Sequence, residues 1–143
     1  AHPTDSGFDL FASEDVLIES KETVIVPTGI AIQLPEGYEA QVRPRSGITS
    51  KTKLRVQLGT IDNEYRGEIG IITDNISDKS NVGAITIDGI LYDRFANDGS
   101  YFIKRGDKLA QLVIQKLPKV QAVEIDELDT TTRGDNGFGS TGI

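Results

Sequence analysis

The chain of 143 residues is the size of one domain, and 15 basic against 22 acidic side chains leave it a net charge of −7. That acidity argues against general nucleic-acid binding. With 37% hydrophobic and 26% charged residues, and no apolar run near the roughly 18 residues of a membrane span, the chain reads as soluble and globular.

It has no cysteine and one histidine, His2, which excludes disulfides, thiolate chemistry, Cys-ligated zinc, Ser-His-Asp triads and multi-His metal sites. Any chemistry must therefore use carboxylates, hydroxyls, arginines and backbone. The opening Ala1-His2-Pro3 and the lack of methionine read as a chain whose first residues have been cut or lie upstream, and no signal peptide is visible.

In chain order, the apolar residues fall into short alternating runs. Residues 23–26 end at Pro27-Thr28-Gly29, residues 30–34 end at Pro35-Glu36-Gly37, and a third run covers 38–42. One helical turn fits 46–51; further runs cover 54–58, 68–73, 82–87, 100–103, 109–115 and 120–125. Some ten short strands with turn signals every ~8–12 residues predict an all-β sandwich or barrel. One all-β domain is expected over 1–128, with residues 75–99 as a polar surface excursion. That excursion contains a hairpin, 82–87 and 90–92, about Asp88-Gly89. Residues 129–143 hold four glycines and almost no apolar side chain, which on composition alone makes them a flexible tail.

The basic residues cluster. Between positions 43 and 66 lie Arg43, Arg45, Lys51, Lys53, Arg55 and Arg66 against Asp62 and Glu64, a local +4 that suits a small polyanion as well as a solvated face. Arg43-Pro44-Arg45-Ser46-Gly47 couples a rigid kink to two guanidiniums, a hydroxyl and a glycine, and a helix starting at Ser46 would add its positive N-terminal dipole. Residues 58–67 read as a hairpin whose Asp62 is either a turn former or a group orienting a water toward phosphorus. Tyr65 is either a half-buried strand residue or a flat wall for a base or sugar. The tail places Phe138 among glycines, after Arg133 and before Ser140 and Thr141, without Walker-loop order. Phe138 can stack on a base, and Arg133 with the hydroxyls can hold phosphates.

Together these segments resemble the homotrimeric dUTPases, the deoxyuridine triphosphate nucleotidohydrolases, which carry five ordered motifs. Ser6-Gly7-Phe8-Asp9-Leu10, Pro44-Arg45-Ser46-Gly47, Gly59-Thr60-Ile61-Asp62-Asn63-Glu64-Tyr65-Arg66-Gly67, Arg105-Gly106-Asp107-Lys108-Leu109-Ala110-Gln111-Leu112 and residues 133–142 match them in order across nearly the whole chain. The resemblance implies an all-β, dUTPase-like β-barrel or jelly-roll sandwich with a flexible C-terminal arm. It also implies Mg²⁺-dependent hydrolysis of dUTP to dUMP and pyrophosphate, which keeps uracil out of DNA and supplies dUMP for dTMP synthesis.

By the same resemblance, Asp62 is the catalytic residue, orienting the water that attacks the α-phosphorus. Gly59, Thr60 and Ile61 would meet the uracil edge, and Tyr65 would pack under the deoxyribose and leave no room for a 2′-hydroxyl. Arg45, Ser46, Gly47 and Gln111 would hold phosphate oxygens, and Asp9 would reach Mg²⁺ through water. Arg133 would clamp the γ-phosphate, Phe138 cover the uracil, and Gly139, Ser140 and Thr141 close over the triphosphate. Three subunits would share each site, in the cytoplasm of the cell or of an infected host cell, with neither nucleic acid nor membrane as a stable partner.

The chain departs from the family pattern at Phe8, where tyrosine is common, and at Lys108, where arginine is frequent. The excursion over 75–99 is longer than compact members need. Two other readings remain: a dCTP deaminase of the same fold, which Asp62 and Tyr65 fit less well, and a regulatory module docking through 75–99.

Overall fold

Residues 7–138, which this computed structural model describes, form eleven strands and one short helix. In chain order these are β1 (Gly7–Phe11), β2 (Val16–Ile18), β3 (Thr23–Pro27), β4 (Tyr38–Pro44), α1 (Ser46–Lys51), β5 (Leu54–Val56), β6 (Gly59–Ile61) and β7 (Gly70–Asn75). They continue as β8 (Ala84–Thr86), β9 (Leu91–Asp93), β10 (Ser100–Ile103) and β11 (Lys108–Lys116). Three sheets result, ordered β1-β11-β4-β6, β2-β10-β8-β9 and β3-β7-β5. This is the all-β jelly-roll architecture that the turn spacing and the resemblance imply.

Alternation decides which face of each strand is inside. In the first sheet Leu10, Ala110, Leu112, Ala40 and Val42 are buried, and they join Ile18, Val26, Leu54, Ile71 and Ile103 in one core. The register sets Gln111 opposite Asp9 on one side and Arg43 on the other, so these three polar residues share the outward face. A short strand at the end of this sheet, β6, pairs only with β4, through Ala40↔Ile61, Gln41↔Thr60 and Val42↔Gly59.

The helix forms where predicted. Proline ends β4, Arg45 is extended (φ −101°, ψ 137°), and Thr52 stops the helix, its hydroxyl donating to the Ile48 carbonyl at 2.6 Å. A six-residue helix has little stability of its own, and the buried side chain of Ile48 docks it onto the core. The hairpin at 82–92 also forms, about Gly89 in the left-handed region (φ +81°). Its first strand, β8, lies parallel to β10, so the excursion extends the second sheet. At the base, buried Asn75 donates to the carbonyls of Ile18 (3.0 Å) and Gly99 (2.8 Å) and accepts the Ser77 N–H (2.9 Å).

Three expectations are corrected. Residues 30–34 are no strand: Leu34 is buried and the Ile30 carbonyl accepts the Ile69 N–H at 2.8 Å, but no ladder partner runs alongside. Residues 120–125 likewise pair with no strand among the described residues, and Val120, Val123 and Ile125 are exposed. Residues 58–67 are not a hairpin. After β6 the chain turns at Asp62 and crosses to a different sheet, where β7 pairs with β3 and β5. The apolar runs do not mark β1 and β2, both short, and β1 carries Gly7 to Leu10 of the first motif.

Candidate active site

A hollow of about 300 Å³ opens where β6 gives way to β7. Its floor is apolar, from Val42, Ile69 and Ile72, and Gly59, Thr60 and Ile61 form one wall. Because β6 is an edge strand, its outer side presents N–H and C=O groups that pair with no other strand among the described residues, the means to read a flat heterocycle by its hydrogen-bonding edge. Buried Ile61 fixes the register, since a slip of one residue would turn its side chain to solvent.

Asp62 follows the last residue of β6 at the mouth of the hollow and is exposed. Its Oδ1 accepts the Glu64 N–H at 2.9 Å and its carbonyl accepts the Tyr65 N–H at 3.1 Å, which fixes the bend. One carboxylate oxygen is thus tied down while the other is free to accept from water. Tyr65 lines the hollow with its ring, its hydroxyl donating to the Glu68 carbonyl at 2.8 Å. Arg66 braces the turn by donating to the Asn63 carbonyl at 2.6 Å.

A second group gathers at the start of α1. Arg45 precedes the helix and donates through Nη1 to the Lys108 carbonyl at 2.9 Å, leaving most of its donors free. Ser46 and Gly47 open the helix, whose first turn has neither a side-chain cap nor an acidic residue. A Cβ at Gly47 would meet nothing within 4 Å, so internal packing does not demand this glycine and its outer side is open to an incoming group. Gln111 is exposed beside Asp9, and the Asp9 carboxylate lies 3.3 Å from the Lys108 ammonium, both partly exposed.

The two groups are distinct. Gly59, Thr60, Ile61, Asp62 and Tyr65 share one hollow, and none of Arg45, Ser46, Gly47 or Gln111 lines it. Arg133 and Phe138 lie in the exposed arm, with Arg133 Nε donating to the Asn136 carbonyl at 2.6 Å. Gly139, Ser140 and Thr141, and Ser6 of the first motif, lie outside the described residues. The sequence reading missed the floor. Val42 and Ile69 look like ordinary core positions in sequence, and only the meeting of two sheets makes them the floor of a hollow. Elsewhere, the Thr23 hydroxyl and the Gln57 amide hold the Asp74 carboxyl below its ordinary range, remote from this hollow.

A model of the dUTPase family matches residues 1–87 and 94–142, passing over the turn at Gly89 and strand β9. The chain is 47% identical over 141 residues to the deoxyuridine 5'-triphosphate nucleotidohydrolase of Hydrogenobaculum sp., covering 96% of this chain and 84% of that protein. Its fold is similar to that of the Staphylococcus bacteriophage 80alpha dUTPase with dUPNHPP (TM-score 0.89, 34% identity, 100% of this chain and 89% of that one). It is also similar to a mutant dUTPase from phage phi11 of S. aureus, described with a structural Mg(II) ion (TM-score 0.79, 37% identity, 88% and 86%).

Proposed function

The chain belongs to the dUTPase family and is a dUTP diphosphatase that hydrolyses dUTP to dUMP, and we propose that Asp62 drives the reaction by orienting a water onto the α-phosphorus. The water oxygen bonds to phosphorus as the bond from that phosphorus to the bridging oxygen breaks. Pyrophosphate leaves, and the water's proton passes to the Asp62 carboxylate. The carrying observation is Asp62 at the end of an edge strand whose backbone can hold the base, one carboxylate oxygen fixed by Glu64.

Uracil enters the hollow and pairs with the outer edge of β6, while the apolar floor excludes water and sharpens those hydrogen bonds. Tyr65 walls the sugar. The free guanidinium donors of Arg45, the first turn of α1 at Ser46 and Gly47, and the Gln111 amide bind phosphate oxygens. Arg133 clamps the γ-phosphate, Phe138 covers the base, and Gly139, Ser140 and Thr141 close the triphosphate.

Among the described residues no group of three or more acidic or histidine side chains converges on one point. The donor available beside the phosphate-binding set is Asp9, a single hard and partly exposed carboxylate. That fits Mg²⁺ retaining water and taking its remaining oxygens from the triphosphate, where it would neutralise charge on the phosphates. The surface pair between Asp9 and Lys108 costs little to open.

The separation of the base hollow from the phosphate-binding set supports a homotrimer in which neighbouring subunits complete each site. With dUTP as substrate, the cytoplasm of a cell or infected host cell is the fitting place. Incubation with each deoxynucleoside triphosphate and Mg²⁺ tests the reading. Pyrophosphate and dUMP from dUTP alone are expected; release of ammonia from dCTP would overturn it.

A further inference from the structure

Tyr65 is 46% exposed, so no core around it dictates how its ring lies. Its orientation comes from Gly67 and Glu68. The hydroxyl donates to the Glu68 carbonyl at 2.8 Å, and the ring lies directly over Gly67. A Cβ at position 67 would stand 2.6 Å from the tyrosine Cζ and 2.9 Å from Cε1, closer than carbon atoms approach. The φ of Gly67 is outside the left-handed region, so the backbone does not demand glycine here. What demands it is the ring above. By contrast, Gly83 combines a positive φ (+60°) with a backbone clash, the usual reasons that a turn requires glycine.

We propose that Gly67 and the Glu68 carbonyl form a seat that sets the Tyr65 ring against the sugar of the bound nucleotide, making Gly67 a positioning residue for discrimination between deoxyribose and ribose. The inference rests on the dUTPase reading of the hollow. A ring lying flat on residue 67 occupies a fixed plane at the mouth, and a 2′-hydroxyl must compete with it for space. A methyl at 67 lifts the ring and breaks its hydrogen bond, so the wall moves. Asp62, held by its own bond to Glu64, does not move with it.

The test compares kcat and KM for dUTP and UTP in the wild type, Gly67→Ala, Tyr65→Phe, Tyr65→Ala and the double variant Tyr65→Ala/Gly67→Ala. The wild type is expected to prefer dUTP. In Gly67→Ala the ratio of kcat/KM for dUTP over UTP is expected to fall at least about tenfold, the low end of what one misfitting group is worth in a shaped pocket. KM for dUTP should rise more than kcat falls. Tyr65→Phe, which keeps the ring but not its bond to Glu68, should lower the ratio by a smaller factor. On the Tyr65→Ala background, Gly67→Ala should change the ratio no further.

An unchanged ratio in Gly67→Ala, with both substrates slowed equally, would overturn the proposal, as would a further fall in the double variant. Should Gly67→Ala fail to fold, an unchanged ratio in Tyr65→Phe overturns the seat. A wild type that hydrolyses no dUTP, or shows no preference over UTP, sinks the reading of the hollow itself, an outcome separate from failure of the variants.

Discussion

Arg45 donates through Nη1 to the backbone carbonyl of Lys108 at 2.9 Å, joining the start of the helix to the start of β11 across 63 positions of sequence. The bond consumes one of five guanidinium donors and aims the rest outward. Arg45→Lys cannot keep the anchor and offer a planar fork at once. It is expected to lower kcat/KM for dUTP by about 10- to 100-fold, matching the ~1.5–3 kcal/mol of a charge-assisted hydrogen bond, with unfolding unchanged to within about 1 kcal/mol. Steady-state kinetics with denaturant melts check it; wild-type kcat/KM would remove Arg45 from phosphate binding.

Asp62→Asn preserves the turn, because an amide oxygen still accepts the Glu64 N–H. Fold and nucleotide affinity should be nearly intact while turnover falls at least ~10²-fold, the low end for losing a general base. With His2 the chain's sole histidine, few groups can replace the lost base. Turnover near wild type would take Asp62 out of the mechanism.

Removing the segment after Thr132 deletes no buried side chain among the described residues. The truncated protein should fold and assemble, yet turnover should drop strongly, since the γ-phosphate clamp and the cover over the base are lost. Phe138→Ala should fall between the two, for about 1–3 kcal/mol of base stacking. Mixing truncated and Asp62→Asn subunits should restore activity if an arm serves a neighbour. Demonstrated subunit exchange without recovery would assign each arm to its own subunit.

Asn75 is 1% exposed and satisfies three backbone groups at the base of the excursion, linking β2, the Ser77 turn and Gly99. Asn75→Ala leaves those groups short of partners in the interior. A loss of about 2–5 kcal/mol in unfolding free energy is expected, more than one orphaned group costs, with the kcat of the folded fraction retained. A loss below 1 kcal/mol would show that water replaces the amide.

Alternation and turn chemistry in the sequence alone determined that this protein is all-β. They located the helix at 46–51 and the hairpin about Gly89, where local chemistry and final structure agree. The ordered motifs mark Asp62, Tyr65, Arg45 and Gln111 as candidate site residues. What required the tertiary structure was pairing, because a strand exists only where a second backbone accepts its hydrogen bonds. Residues 30–34 and 120–125 have the composition of strands and no partner among the described residues, whereas β6, only three residues long, found one in β4. That pairing turned an apparent hairpin into an edge strand beside a hollow. The position of a ring over Gly67 was equally illegible, since glycine in a turn looks the same whether it serves the backbone or the side chain above it.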